Sequence, residues 1–237
     1  MQFMKETIRR AIPIWNKCIT TPVVQELKTG ALPPEKFKSY MIQDSIYLRH
    51  YARVYGMAMY RSTTLKDIQF FYSILSFITD TESAVRLRYL ERYDLSDDKV
   101  NRLEPLPENQ NYIDFMMDIA EGGDVYEILM AVLPCMLSYS YIFKKIAAEP
   151  ETKNSKYWDF IEDYADERYA ADCQQWSDYA DAKCTVLPDQ RKKELMVIFE
   201  KASLLELDFW KMAYKEQFPK KIREEFYNEK SFEHRRV

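Results

Sequence analysis

A chain of 237 residues carrying 34 basic and 38 acidic side chains has a net charge of −4, so it offers no basic excess to grip a phosphate backbone, and nucleic acid is not an expected partner. Hydrophobic residues make up 47%, enough for a core that needs no staples. Only 4 glycines leave little material for a many-turned sheet, a dinucleotide loop or a P-loop.

The start, MQFMKETIRRAIPIW, has charges interrupting its apolar stretches and lacks a secretory h-region. The longest apolar run, 128–137, is too short to span a bilayer, so no membrane partner is expected. Four cysteines (Cys18, Cys135, Cys173, Cys184) form no CxxC pair and no zinc spacing. They read as free thiols of a cytoplasmic protein.

Taken in chain order, the pattern is helical between short breaks. The first break is Thr20-Thr21-Pro22 and the second runs from Gly30 to Pro34. A helix then opens with Pro34, suited to a first turn, and runs to about 62. Others are predicted over about 65–93 and 110–121, then from an Asp124 cap to about 148, then over 154–182 and 189–217. The last residues, 218–237, are charged with scattered aromatics and read either as a terminal helix or as a loose extension. Sustained β-branched alternation is absent, so the expectation is one all-α domain, a bundle of long helices joined by short turns.

Four of these helices place polar groups on apolar stripes. Asp44 shares a face with Tyr40, Met41, Tyr47, Leu48 and Tyr51. Cys135 continues a stripe of Ile128, Ala131 and Val132 that goes on to Tyr139 and Ile142. Tyr164 lies with Tyr157, Phe160 and Ile161, and Glu206 lies between Phe199, Ala202 and Ser203 on one side and Phe209, Trp210 and Ala213 on the other. Each alone has a plain structural explanation: an acid at a stripe's edge or in an ion pair, a thiol filling core space, a phenol packing. Together they describe a helical bundle with an internal polar pocket, and pattern goes no further. Pro134, inside the fifth helix, either kinks it for packing or re-aims Cys135.

At these residues the sequence resembles the thiaminase II (TenA) family, whose fold is a haem-oxygenase-like bundle of about seven to eight helices. The resemblance rests on Gln43-Asp44-Ser45-Ile46-Tyr47-Leu48, Asn111-Tyr112, Leu133-Pro134-Cys135 with Tyr139, the series Trp158, Ile161 and Tyr164, and the run from Glu200 to Trp210. It implies hydrolysis at the methylene carbon on a 4-amino-2-methylpyrimidine, releasing the thiazolium of thiamine or an amine of degraded thiamine, and yielding hydroxymethylpyrimidine. Cys135 would be the nucleophile, Glu206 the general acid and Asp44 the ionised anchor of the 4-amino group. Tyr47, Tyr112, Tyr139 and Tyr164 would bind the ring or the thiol. No metal or organic cofactor is implied, and the assembly implied is a homotetramer.

Several positions depart from the family pattern. Arg86 and Leu87 stand where a histidine is expected, Ser45 where an aromatic is common, and Tyr169 where Phe is usual. These bear on pocket shape and substrate identity more than on reaction class. A haem protein of this fold needs a proximal histidine near the start, and a di-iron oxidase needs Glu-x-x-His pairs. His50 and His234, the only histidines, supply neither. His50 reads as structural, and Cys173 and Cys184 as bystanders. The remaining alternative is a non-catalytic relative, a pyrimidine-binding or regulatory protein or a protein–protein scaffold, which would have no use for a nucleophile.

Overall fold

The computed structural model describes residues 3–93 and 95–215. Among them eleven α-helices follow in chain order: α1 (Phe3–Ile19), α2 (Pro22–Thr29), α3 (Pro34–Arg61), α4 (Leu65–Ser76), α5 (Ser83–Arg92), α6 (Asp97–Asn101), α7 (Pro107–Gly122), α8 (Val125–Ala147), α9 (Trp158–Ala165), α10 (Glu167–Cys184) and α11 (Asp189–Met212). A π-helical turn, Phe77–Glu82, joins α4 to α5, and a 3-10 turn, Pro150–Asn154, precedes α9. The described residues contain no strand, so the all-α expectation holds. The extension at 218–237 lies outside the described residues.

Local chemistry sets the helix starts. Proline opens α2, α3 and α7, where its missing N–H is no loss and its fixed φ already suits a helix. The Asp124 carboxylate accepts from the Glu127 N–H at 3.0 Å while Glu127 accepts from the Asp124 N–H at 2.9 Å, a reciprocal cap that fixes the start of α8.

Two helices expected as continuous are interrupted, which accounts for two of the additional helices; α2 and α6 are short helices of their own. The 65–93 segment contains the π turn. An extra residue in one turn rotates the face that follows by roughly 100°. The 154–182 segment breaks at Asp166, whose extended backbone ends α9 and whose carboxylate caps α10 by accepting from the Arg168 N–H at 2.8 Å. Neither break carries a glycine or proline, so the usual punctuation was missing.

The core centres on α8. Every residue from Ile128 to Ser140 is buried, and α1, α3, α7, α9, α10 and α11 all pack against this helix. It is long and apolar enough to cross a bilayer by composition, a span the ten-residue run at 128–137 does not reveal. In the bundle this apolarity matches burial on all sides. Across the site from it, α3 buries residues on nearly its whole circumference between Tyr40 and Leu48.

Gly30 ends α2 in the left-handed region (φ 75°), and a Cβ there would sit 3.2 Å from the Lys156 nitrogen. Gly56, inside α3, has open space where a Cβ would go. Gly30→Ala is therefore expected to cost about 1 to 2 kcal/mol, and Gly56→Ala to gain up to about 1 kcal/mol, in urea unfolding. Equal effects at the two positions would contradict the cap.

Candidate active site

Asp44, Tyr47, Tyr112, Cys135, Tyr139 and Glu206, together with Phe209, line one enclosed cavity between α3, α7, α8 and α11. Thus six of the seven side chains singled out in the sequence converge. The space between them has room for only about one water molecule. Tyr164 stands behind the cavity, edge-on to Tyr139 at 5.1 Å and stacked on Phe143 at 5.2 Å. Its place is to back the Tyr139 wall.

Each catalytic candidate is positioned by identifiable contacts. Gln43 Oε1 accepts from the Leu106 N–H and from Asn109 Nδ2, both at 2.9 Å, and Asn109 Nδ2 also donates to the Gln43 carbonyl at 2.8 Å. These bonds pin the start of α7 to α3 beside Asp44. Tyr112, one turn past Asn109, therefore faces the cavity. Pro134 removes the N–H that would reach the Met130 carbonyl, yet α8 continues through it to Cys135. Tyr51 donates to the Val132 carbonyl at 2.8 Å and so ties α3 to this stretch. On α11, Trp15 Nε1 donates to Ser203 Oγ at 3.2 Å, which fixes the helix to α1 one turn before Glu206.

The two acids are almost fully enclosed: Asp44 is 6% exposed and Glu206 2%. Burial pushes Asp44 up to about 7, against the pull of Arg86. Burial also pushes Glu206 up to about 7, the Tyr112 hydroxyl and Cys135 thiol opposing it and the charge on Asp44 adding to it. The two carboxyls otherwise differ sharply. Glu206 faces the Cys135 thiol and the Tyr112 phenol, both of which hold its pKa down. Among the described residues nothing donates a hydrogen bond to the Asp44 carboxylate. A buried carboxylate without a donor is costly, so its acceptors await a ligand.

The phenols are held neutral by burial, which raises Tyr40, Tyr47, Tyr112 and Tyr139 well above the ordinary value. Tyr139 and Tyr40 share a hydrogen bond at 2.7 Å, and Tyr40 stacks on Trp210 at 5.4 Å. Tyr47 spends its hydroxyl on the Met116 sulfur at 3.4 Å, a weak acceptor. The Tyr112 hydroxyl is buried and faces Glu206 and Tyr47 without a well-formed bond to either. Both are donors that a ligand could engage.

Sequence reasoning placed Phe209 on the Glu206 stripe but did not name it as a site residue; its i+3 spacing from Glu206 was the available signal. It passed over Gln43 and Asn109 as positioning groups. Among the departures, Ser45 and Arg86 meet: Arg86 Nη1 donates to Ser45 Oγ at 2.9 Å, next to Asp44. Tyr169 packs edge-on to Tyr164 at 5.2 Å and lies outside the cavity lining, as do Leu87 and His50.

The raised acids make a stability prediction. A carboxyl whose folded pKa lies above its unfolded value contributes most below the unfolded value, near 4.5 for Glu206, and loses that contribution as pH rises through about 7. Glu206→Gln should therefore be more stable than wild type at pH 8 by on the order of 2 to 3 kcal/mol, with the gap closing toward pH 5. Urea unfolding at the two pH values checks this; a variant less stable at pH 8 would refute it.

Residues 8–216 match the TENA/THI-4/PQQC family. An aminopyrimidine aminohydrolase of Halalkalibacterium halodurans is 28% identical over 218 residues, 92% of this chain and 97% of that protein. The crystal structure of a TenA family transcription regulator from Silicibacter sp. TM1040 superposes with a TM-score of 0.80 at 26% identity, covering 89% of this chain and 96% of that one. A Shewanella denitrificans domain with a heme oxygenase-like fold superposes with a TM-score of 0.65 at 15% identity, covering 90% and 92%, and bears on the fold alone. With the match running from α1 to the end of the described residues, through every helix that lines the cavity, this chain belongs to the TENA/THI-4/PQQC family.

Proposed function

We propose that this protein hydrolyses 4-amino-2-methylpyrimidines, replacing the group on the 5-methylene carbon with hydroxyl, and serves thiamine salvage in the cytoplasm. The observation that carries the reading is the Asp44 carboxylate, which accepts no hydrogen bond from the described residues and faces the same cavity as the Cys135–Glu206 pair. An exocyclic amino group is the complementary donor. The aminopyrimidine aminohydrolase activity of the Halalkalibacterium halodurans relative supports the same substrate class.

The chemistry follows from the residues. Asp44 accepts from the 4-amino group and fixes the ring in its plane, and the aromatic walls exclude water. The Cys135 sulfur adds to a ring carbon. One Glu206 oxygen receives the thiol proton as the other releases its proton to a ring nitrogen, so the acid is restored. The ring thereby loses aromaticity, and the leaving group, a protonated amine or the thiazolium, departs from the methylene carbon with the bonding electrons as free amine or neutral thiazole. Water adds at that carbon and gives up one proton to solvent, the ring-nitrogen proton returns to the sulfur as the thiol is expelled, and hydroxymethylpyrimidine results. A pKa near 7 suits Glu206 to this relay at neutral pH. Tyr47 and Tyr112 donate to the ring or to the sulfur, while Tyr139 forms the wall that Tyr164 supports.

The family resemblance supports a homotetramer, and exposed Tyr60, Leu65 and Tyr72 at the α3–α4 end supply apolar surface for self-association. Light scattering of the purified protein tests that assembly; a monomer at micromolar concentration would overturn it.

The activity test is incubation with the 5-aminomethyl pyrimidine and, separately, with thiamine, following hydroxymethylpyrimidine. Wild type is expected to turn over at least one of them. Cys135→Ser should lose on the order of 10³-fold or more in kcat, and Asp44→Asn should lose mainly through KM. A wild type inert toward both, yet binding the pyrimidine, would replace the hydrolase by a binding or regulatory protein.

A further inference from the structure

Two buried acids in one cavity pose a problem of assignment. Both face a low-dielectric interior, and two charges there repel strongly. The proposed chemistry needs them in different states, Asp44 charged and Glu206 protonated. Something must break the tie before substrate arrives.

Among the described residues, the groups around Asp44 are few. From its own helix come Tyr40 and Tyr47, from α7 Tyr112, from α8 Cys135 and Tyr139, and from α11 Glu206. All of these are neutral or acidic. Among the described residues, the cation acting on Asp44 is Arg86 of α5, which bears on it from outside the cavity lining. Its guanidinium is held by Ser45, the residue next to Asp44. Ser45 Oγ donates to the Met41 carbonyl at 2.7 Å and accepts from Arg86 Nη1 at 2.9 Å, so its hydroxyl is committed in both directions. The small side chain at 45 gives the guanidinium access to α3, and the π turn before α5 determines which residue of α5 meets it. Two departures in the sequence thus form one unit.

We propose that Arg86, anchored by Ser45, is a positioning residue that keeps the negative charge on Asp44 and thereby leaves the shared proton on Glu206. This rests on the hydrolase reading for its catalytic consequence, though not for the charge assignment itself. The effect runs in a clear direction. The guanidinium draws Asp44 down against its burial, and the charge so held on Asp44 pushes Glu206 up. Removing the cation lets Asp44 keep its proton to higher pH. The amino group then loses its acceptor and Glu206 loses the neighbour that holds it protonated.

The test uses the full chain with its aspartate carboxyl carbons labelled with carbon-13, the Asp44 signal being identified by its loss in Asp44→Asn. Arg86→Gln should raise the Asp44 titration midpoint by at least half a pH unit, and Arg86→Lys should leave it near the wild-type value. Ser45→Ala, which keeps the cation but removes its hydrogen bond to α3, should move the midpoint the same way by less. In turnover, Arg86→Gln should lose at least three times more kcat/KM at pH 6 than at pH 8, with Lys restoring the wild-type profile. An unmoved Asp44 midpoint in Arg86→Gln, or in Ser45→Ala should the glutamine variant fail to fold, overturns the proposal. Because the titration needs no substrate, an inert wild type would remove the hydrolase reading and leave the charge assignment decided on its own.

Discussion

The site depends on a nearly buried carboxylate to which the described residues donate no hydrogen bond. Asp44 sits among Tyr40, Tyr47 and Tyr139, and the free protein carries the cost of leaving its oxygens unmatched. Removing a charged group from water costs several kcal/mol unless it is paired or neutralised. That cost is what a complementary ligand recovers on binding. A cavity of this kind discriminates by donor pattern more than by size, since an ill-matched ring leaves the acid buried and still unpaired.

The bundle supplies rigidity to offset that cost. The residues that act come from four helices, and each helix is tied near its functional residue. Gln43 and Asn109 lock α7 to α3, Tyr51 holds the proline-containing stretch of α8, and Trp15 holds α11 through Ser203. The stacked aromatic set of Tyr40, Trp210, Tyr139 and Phe143 fills the space behind. These contacts are far more apolar than the site they support. The site occupies the place where the packing admits polar groups.

Much of this was legible from the chain because helical periodicity maps sequence onto faces. Asp44, Cys135 and Glu206 each interrupt an apolar stripe, and a stripe in a bundle can face only the interior. Placement on a face does not tell distance along the axis, so the convergence of six side chains and the retreat of Tyr164 behind Tyr139 became visible only in three dimensions. The π turn and the Asp166 break were hidden because neither carries glycine or proline. Phe209 looked like ordinary core for the same reason that most aromatic stripes are core. The meeting of Ser45 and Arg86, 41 residues apart, has no local signal at all.

The most direct measurement is calorimetric binding to Cys135→Ser of two pyrimidines that differ only at ring position 4, amino in one and oxo in the other. The account predicts that the amino compound binds at least about 30-fold tighter, roughly 2 kcal/mol, and that Asp44→Asn in the same background erases most of the difference. Equal affinity for the two rings, or a preference that survives the loss of the Asp44 charge, would contradict it.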